Sequence, residues 1–432
     1  MKVFYVTMAF PFPSETFASN DVRTLWKKGV NISVHSLRPA HALTQELASE
    51  RGLTDIPFSH SSRTAVIAGI RTAMFRPRLL LQLLCAIWRY CSGSAEHVAK
   101  SLALMPRVLH IFSEIENEAP DVVHIYWGHY PSLVGYLVQS NLPKTVVTIS
   151  LVAYDIEMRY GIAKVVAQKA DLVRTLANVN VGQLQAVYGV ARSNIVVIPD
   201  GVDIDRFLRN CSSDNPRHSF EIGGQKIPQR IVTAGRLTRR KGVHDVLDVF
   251  SAVIKHYPAA TLVYMGDGPE RESLELRCSK LGIDHAVRFL GHVDQDRVFR
   301  EMIRAELFLF LSTGSGERLP NVVKEAMIAE CGCVVSCTTG IDELIRDERY
   351  GHVVPLADVQ EATGQVLSLL GNPERRASIG RAAKALVIEN FDLEKSTEQY
   401  IFHWKQLVNE RAAKANQENV DVAHERYQPK AL

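Results

Sequence analysis

The chain has 432 residues, of which 46% are hydrophobic and 22% are charged, and its 50 Lys and Arg residues against 47 Asp and Glu residues leave a formal charge of +3. This length is typical of two or three domains, and this composition excludes a mainly disordered or fibrous chain. The charge is too small to indicate nucleic-acid binding by itself, so no nucleic-acid partner is predicted.

Two apolar segments bear on export and on membrane spanning. The run Val3–Met8 is rich in β-formers and is followed at once by Pro11 and Pro13, so it predicts a buried first strand rather than a signal peptide. The run Leu79–Trp88 is much shorter than the ~20 residues that a spanning helix needs. Together with the irregular spacing of the seven cysteines, these features predict a cytoplasmic protein.

Three cysteines lie close together and raise the question of a metal site. Cys331, Cys333 and Cys337 fall in an apolar run that is typical of a buried strand. No His or further Cys pair completes the spacing of a zinc site, so no metal is predicted.

Short apolar runs alternate with longer amphipathic segments through the first half of the chain. Helical periodicity is visible, for example, over Ser19–Lys28 and Tyr130–Gln139. This alternation indicates parallel α/β units. The predicted strands are Val3–Thr7, Ile32–Ser36, Val122–Tyr126, Val146–Ile149 and Asp171–Thr175.

A polar segment over residues 209–229 predicts a linker, and a second α/β series follows it. The two series predict two Rossmann-like domains, over residues 1–208 and 230–388. A helix from about Leu393 to Ala413 is predicted next, and the polar tail 414–432 is predicted to be flexible. The predicted strands of the second series are Arg230–Ala234, Ala260–Met265, Ala286–Phe289, Leu307–Leu311, Cys333–Ser336 and His352–Pro355.

The stretch STGSGERLPNVVKEAM predicts a strand, a glycine-rich loop and a helix. The strand ends near Ser312, the loop contains Gly314 and Gly316, and Pro320 occupies a favoured place in the first helical turn. Open amides at such a helix start bind anions, and the helix dipole adds to this preference.

Two glutamates flank this helix start. Glu317 lies in the loop and Glu325 lies just over one turn inside the helix, and a carboxylate accepts hydrogen bonds from paired hydroxyls. Together with the loop amides they suit a nucleotide-sugar. Two alternatives are a helix with solvated glutamates and a glycosidase carboxylate pair, and the positions of the two residues favour the second of these least.

Two further loops follow predicted strands. After Ile231–Ala234 come Arg236 and Lys241, and two cations at the carboxyl end of a strand can hold a diphosphate. The alternative is a basic surface loop. Gly266 begins the turn GDGP after the next strand, where backbone can approach a ligand closely.

With these motifs in place, the second half of the chain resembles glycosyltransferase family 4, the retaining GT-B enzymes that use nucleotide-sugars. The motifs are VVIPDGVDIDRF, TAGRLTRRKG, VYMGDGPE, FLGHV, GERLPNVVKEAM, TTGIDELI and GHVVPLAD, in family order from about Ile195 to Asp358. In the first half, FPSETF, DVVHIYWGH and VVTISLVAYDI resemble a bacterial branch that builds exopolysaccharide and lipopolysaccharide.

The resemblance implies the α/β GT-B fold, with two Rossmann-like domains whose parallel sheets face each other across a cleft. The first domain would be on the acceptor side, the second would bind the nucleotide-sugar, and a helix at 389–413 would cross back to the first. It further implies a metal-independent hexosyltransferase with no cofactor, a UDP- or GDP-sugar donor and a glycan or lipid-linked acceptor.

The resemblance also assigns roles to residues. Glu317 would contact the donor sugar, Glu325 the ribose, and Arg236 and Lys241 the diphosphate. The remaining donor contacts of the second domain would be Gly266, Gly316, Leu319 and Asn321.

This chain departs from the family pattern at two positions. Val152 stands where many relatives have a donor-site histidine, although Asp155 of the same motif is retained and is assigned to the donor site. Arg318 replaces a common glycine, and it either contacts an acidic sugar or points to solvent. The missing histidine leaves open that the sugar site differs, that activity is weak, or that the chain is a donor-binding subunit of a glycosyltransferase complex. A nucleotide-sugar epimerase is disfavoured because the matched motifs belong to transferases.

Two histidines follow the predicted strand over residues 122–126 and are candidates to replace the missing one. His124 lies inside the strand, which favours a packed structural histidine. His129 lies in the following loop and is the predicted catalytic residue of this domain. Ser14, in the loop after the first strand, is predicted to contact donor phosphate or acceptor through first-helix amides.

The segment IRTAMFRPRLLLQLLCAIWRYCSG is basic, apolar and aromatic. Such a helix can lie on an anionic membrane and bring the enzyme to a lipid-linked acceptor at the inner face of the plasma membrane. The alternative is a core helix of the first domain with arginines at its ends.

Overall fold

The computed structural model describes residues 1–13, 15–211, 226–314 and 316–426. The chain divides into two compact units. The first comprises Met1–Ile198 and Glu394–Leu432, and the second comprises Pro199–Leu393.

The first unit contains a parallel sheet of seven strands in the order β3-β2-β1-β4-β5-β6-β7. Its strands are β1 Lys2–Thr7, β2 Asn31–Ser36, β3 Phe58–Ser59, β4 Val122–Tyr126, β5 Val146–Ser150, β6 Leu172–Thr175 and β7 Ile195–Val197. Alternate residues of β1 enter two separate apolar clusters, Phe4 and Val6 in one and Val3 and Tyr5 in the other. This sheet is therefore buried on both faces, as expected for parallel strands joined by helices.

Helices of the first unit connect these strands. They are α1 Thr16–Lys27, α2 Thr44–Glu50, α3 Arg63–Phe75, α4 Pro77–Cys91, α5 Ala95–Glu118, α6 Ser132–Asn141, α7 Ala153–Met158, α8 Gly161–Lys169 and α9 Val179–Gln183. Their starts follow local sequence signals. Ser62 caps α3 by accepting a hydrogen bond from the Ala65 amide at 3.1 Å, and Pro77 occupies the first position of α4.

The second unit contains a parallel sheet of six strands in the order β10-β9-β8-β11-β12-β13. Numbered within its own unit, this is the order 3-2-1-4-5-6 of a Rossmann sheet, and the first six strands of the other sheet have the same order. The prediction of two Rossmann-like domains is confirmed. The elements are α10 Ile204–Cys211, β8 Arg230–Ala234, α11 Val243–His256, β9 Thr261–Met265, α12 Arg271–Leu281, β10 Val287–Phe289, α13 Gln295–Ile303, β11 Leu307–Phe310, α14 Asn321–Ile328, β12 Gly332–Ser336, β13 His352–Val354, α15 Val359–Gly371 and α16 Pro373–Asn390.

The boundary between the units lies earlier than residue 208. Residues 199–208 belong to the second unit because the Val202 amide donates to the Phe391 carbonyl at 2.7 Å and Arg206 forms an ion pair with Asp296. Most of the predicted linker, residues 212–225, lies outside the described residues.

The last helix, α17 Leu393–Arg426, returns to the first unit. Trp404 is fully buried there, and its indole N–H donates to Thr148 Oγ1 at 3.2 Å, while Arg411 forms an ion pair with Asp171. The helix continues past residue 413 to Arg426, so it includes the first part of the predicted tail, and the flexibility of that tail stays a prediction. Extending a formed helix requires no apolar periodicity, because each added residue gains a hydrogen bond without a new nucleus.

Two further findings concern the segments discussed from the sequence. No helix in the described part of the chain combines the length and the apolar character that crossing a bilayer requires. All seven cysteines are free, and Cys331 and Cys333 are buried around the start of β12.

Candidate functional site

A small pocket lies at the carboxyl end of β8. β8 is the strand at which the order of the second sheet reverses, since it is flanked by β9 and β11. Ligands of open α/β sheets bind at such a switch point. Among the residues that line the pocket are Gly235, Arg236, Lys241, Met265 and Phe310.

A tight turn after β8 brings Lys241 to this pocket. The Lys241 amide donates to the Thr238 carbonyl at 3.0 Å, and Gly242 follows with a φ of +63°. A Cβ atom on Gly242 would lie 1.8 Å from the Leu311 carbonyl oxygen, so only glycine lets the turn pack against the end of β11. The turn therefore fixes Lys241 beside the loop that carries Glu317.

Lys241 and Glu317 form an ion pair, and both side chains are partly buried. The Lys241 ammonium also lies 5.3 Å from the centre of the Phe310 ring, within cation–π range. A hydrogen bond of 2.9 Å from the Thr313 amide to the Arg240 carbonyl ties the two loops together. The structure thus brings together two residues that the sequence assigned to diphosphate and sugar.

Arg236 is the second cation of the pocket. Its side chain is exposed, and among the described residues it has no ion-pair or hydrogen-bond partner. Arg239 is not among the residues that line the pocket and instead pairs with Glu270. Arg236 is therefore available to an anionic ligand.

Glu325 lies in α14 and is partly buried. Its Oε1 accepts a hydrogen bond of 2.9 Å from Gln295 Nε2, at the start of α13. Burial raises the pKa of Glu325 to about 7, and this hydrogen bond only partly offsets the loss of solvent. Gln295 was missed from the sequence, because nothing in its local pattern indicates that α13 lies beside α14.

The neighbouring polar residue of α14 has a different place. Asn321 Oδ1 accepts a hydrogen bond of 2.9 Å from Lys324 Nζ, which also donates to the Asp200 carbonyl at 2.7 Å. The Asn321 side chain therefore supports α14, and the contact predicted for Asn321 remains one for its amide.

The other backbone positions predicted for the donor differ in exposure. Gly316 is exposed, and Leu319 is buried with a φ of +38°, which is uncommon for a residue other than glycine. Gly266 has a φ of +139°, and a Cβ atom there would lie 2.0 Å from the Gly235 carbonyl oxygen. The close approach that requires glycine at 266 is thus to the loop after β8, which lines the pocket.

In the first unit, Asp155 organises the carboxyl ends of β4 and β5. Its Oδ1 accepts hydrogen bonds from the Gly128 amide at 2.8 Å and lies 3.2 Å from His129 Nδ1, and its Oδ2 accepts from the Val152 amide at 3.1 Å. The Asp155 side chain is fully buried. In this structure it therefore positions His129 and the start of α7, and the donor contact predicted for Asp155 stays a prediction.

His124 and His129 have different surroundings although they lie five residues apart. His124 is fully buried, and its ring nitrogens lie 2.8 Å from Thr148 Oγ1 and 3.1 Å from Ser150 Oγ. Burial lowers the pKa of His124 to about 3, so this histidine is neutral. His124 is a packed structural residue, and only His129 lies near the end of the sheet.

Aromatic residues surround His129, and the sequence analysis missed most of them. Trp127 has a φ of +80°, and its indole N–H donates to Glu15 Oε2 at 3.3 Å. The Tyr154 ring is nearly perpendicular to the rings of Trp127 and His129, at centroid distances of 6.3 Å and 6.0 Å. Burial raises the pKa of Glu15. The sequence signal that could have indicated this aromatic group is the run W-G-H directly after a strand.

The remaining residues singled out from the sequence can be placed as follows. Val152, whose amide donates to Asp155, has an apolar side chain at the position of the family histidine. Arg318 is mostly buried and its Nη1 donates to the Glu317 carbonyl at 3.3 Å, so it does not point to solvent. Ser14 lies outside the described residues.

Comparison with known proteins shows a family to which the sequence of the second unit is similar. Residues 214–386 match the family model described as Glycosyl transferases group 1. The second unit is therefore similar in sequence to this family of glycosyltransferases.

Curated relatives extend the likeness into the first unit. The chain is 25% identical over 335 residues to the sulfoquinovosyl transferase SQD2 of Arabidopsis thaliana, which covers 72% of this chain and 62% of the plant protein. It is 28% identical over 282 residues to the phosphatidyl-myo-inositol mannosyltransferase of Mycobacterium tuberculosis, which covers 61% of this chain and 68% of that protein. The chain thus spans about three fifths of the plant relative.

The fold is shared with solved structures over almost the whole chain. The crystal structure of Anabaena Alr3699/HepE in complex with UDP aligns with a TM-score of 0.68 and 16% identity, and it covers 94% of this chain and 100% of that chain. With this and other glycosyltransferase neighbours, the predicted GT-B fold is confirmed.

Proposed function

We propose that the protein is a retaining, metal-independent glycosyltransferase. It moves a hexose from a UDP- or GDP-sugar to a glycan or lipid-linked acceptor in cell-surface polysaccharide synthesis. The proposal places it in the cytoplasm, at the inner face of the plasma membrane, and it uses no cofactor beyond the donor.

The observation that carries the proposal is the Lys241–Glu317 pair beside Arg236 at the switch point of the second sheet. Transfer breaks the bond between the anomeric carbon and the diphosphate oxygen and forms a bond from the same carbon to an acceptor oxygen. The acceptor proton leaves with the diphosphate. Arg236 and Lys241 would stabilise the negative charge that develops on this leaving group, which is the role that a metal ion has in other transferases.

The two glutamates would orient the donor. Glu317 would accept hydrogen bonds from sugar hydroxyls, and Glu325 from the ribose, because ionised carboxylates are pure acceptors. The ion pair with the Lys241 ammonium would hold the Glu317 side chain in place before the donor arrives.

The comparisons support a nucleotide-sugar donor. The family match covers the unit that contains the pocket, and the structural neighbour from Anabaena was solved with UDP. The two curated relatives are named for transfer of sulfoquinovose and of mannose. They agree on the class of reaction and leave the sugar to experiment.

A panel of UDP- and GDP-sugars, measured by thermal shift and by release of the nucleoside diphosphate, tests this function. A donor at 100 times its Kd should stabilise the protein by about 2.7 kcal/mol. Glu317→Gln should lower transfer about 100-fold, while Glu348→Gln, at an exposed glutamate that pairs with Arg375, should leave it unchanged. Transfer by Glu317→Gln at the rate of the unchanged protein would refute the site, and binding of no nucleotide-sugar would refute the function.

Val152 favours a second candidate, a catalytically weakened nucleotide-sugar-binding subunit of a glycosyltransferase complex. An apolar side chain stands where the family resemblance expects a histidine. This candidate predicts that the donor binds but is not turned over by the isolated chain. Turnover that appears only with Val152→His or with a partner enzyme would support it against the main proposal.

A further inference from the structure

Six large apolar side chains are exposed along two consecutive helices of the first unit. The most exposed are Phe75 at 78%, Trp88 at 74% and Met74 at 71%. The others are Ile67, Ile70 and Leu81. We call this set, together with the exposed arginines between them, the α3–α4 surface.

The opposite faces of both helices are already packed. Leu79, Leu83 and Ile87 of α4 are buried in the core. On α3, a Cβ atom at Gly69 would lie 1.7 Å from the Pro106 carbonyl oxygen of α5, so this side of α3 is in direct contact with its neighbour. The outward residues are therefore not needed to attach the helices to the fold, and the prediction of a simple core helix accounts for only one face.

The surface is strongly basic. No Asp or Glu occurs between residues 56 and 95, a stretch that contains five arginines. Arg76 is neutralised by an ion pair with Glu116. Arg71 and Arg78 are exposed and, within the described part of the chain, have no acidic partner. Uncompensated positive charge thus lies beside the most exposed apolar side chains.

We infer that the α3–α4 surface binds an anionic lipid membrane. Large apolar patches on proteins mark partner or membrane contacts. Phe, Met and Trp side chains beside arginines suit the boundary between acyl chains and anionic headgroups, because the former gain from burial and the latter from charge. The membrane contact itself does not depend on the proposed function. Only its purpose, which is to bring the protein to a lipid-linked acceptor, rests on that function.

Vesicle flotation without donor or acceptor tests this contact. The protein should float with vesicles of phosphatidylglycerol and phosphatidylcholine but not with phosphatidylcholine alone. Phe75→Ser/Arg78→Glu should lower the bound fraction at least about tenfold, since one charge is reversed at the lipid surface. Raising the salt from about 0.05 M to about 0.5 M should weaken the binding that remains.

The chain offers a matched control, an exposed phenylalanine and a cation at the same spacing. Phe402 and Lys405 are exposed on α17, and Phe402→Ser/Lys405→Glu should leave flotation unchanged. A second variant, Arg71→Glu/Met74→Ser, covers the case in which Phe75→Ser/Arg78→Glu unfolds, and circular dichroism reports on both.

Three outcomes would overturn the inference. The first is no flotation of the unchanged protein, and the second is equal flotation of Phe75→Ser/Arg78→Glu and its control Phe402→Ser/Lys405→Glu. The third is a solution dimer that Phe75→Ser/Arg78→Glu dissociates. The last would assign the surface to a second copy of the chain. Nucleotide-sugar turnover in solution does not involve these residues, so failure here leaves the proposed function standing, and the reverse also holds.

Discussion

The two sheets share the order of their first six strands, but the loops at their carboxyl ends carry different side chains. In the second sheet, this end presents two cations and a carboxylate around an open pocket. In the first, it presents aromatic rings around a histidine that a buried aspartate holds in place. A shared topology therefore fixes where ligands can bind, and the loop residues decide which kind of ligand that is.

The largest expected effect concerns the charged pair of the second sheet. Lys241→Ala and Glu317→Ala should each lower transfer about 10²–10³-fold, because each removes a preorganised charge next to the reacting bond. The double variant should lose much less than the product of the two, since the residues act as a unit. Measured kcat values for the four proteins check this.

A control for this cycle is Lys255→Ala, an exposed lysine of α11. Its activity should match that of the unchanged protein. Fully multiplicative losses at Lys241 and Glu317 would contradict the view that the ion pair is one functional group.

Glu325 should make donor binding by the second unit depend on pH. With the pKa near 7 in the unliganded protein, the fraction of ionised carboxylate rises with pH. If the ribose binds the ionised form, the Kd of UDP-glucose should rise up to about 100-fold as the pH falls from 8 to 5. Isothermal titration with UDP-glucose is suitable, because its phosphates do not titrate in this range.

The variant Glu325→Gln should flatten this dependence and also change stability. Because the folded pKa lies above the ordinary value of 4.5, the folded protein holds more protons than the unfolded chain between about pH 4.5 and 7. This group therefore lowers the free energy of unfolding as the pH rises through that window, by at most about 3 kcal/mol. The variant should melt higher than the unchanged protein at pH 8, and a lower melting temperature there would contradict the assignment.

The difference between the two sheets also explains how much of the structure can be predicted from the sequence. Apart from β3 and β7, which were not predicted, the strands of both sheets follow from apolar runs. The Lys241 and Glu317 loops follow from glycine-bounded motifs at strand ends. The contacts of the first sheet do not follow, because Glu15 and Trp127 meet across 112 residues of sequence. Likewise the pKa of Glu325 depends on Gln295 and on burial, neither of which is visible in its own helix.

A smaller effect is expected at His129. His129→Ala should lower kcat about 10–100-fold if the imidazole takes part in transfer. This is less than the roughly 10²–10⁴-fold typical of general acid–base groups, because the acceptor proton leaves with the diphosphate. Asp155→Asn should produce part of this loss, because it changes the hydrogen bond at His129 Nδ1. The kcat values of both variants check this, and full activity of His129→Ala would remove the first sheet from the chemistry.

The smallest effect is expected at Trp127, whose ring and backbone can be tested separately. Trp127→Ala and Trp127→Gly both remove the ring and the hydrogen bond to Glu15, so both should raise the KM of the acceptor by a similar factor of about three to ten, corresponding to a lost contact of about 1 kcal/mol.

The two variants should differ in stability, because a φ of +80° is unfavourable for alanine and not for glycine. Trp127→Gly should therefore unfold at higher denaturant concentration than Trp127→Ala, by roughly 1–2 kcal/mol in the free energy of unfolding. Equal stabilities would show that the backbone relaxes once the ring is gone, and unchanged acceptor KM values would show that the aromatic group serves the fold alone.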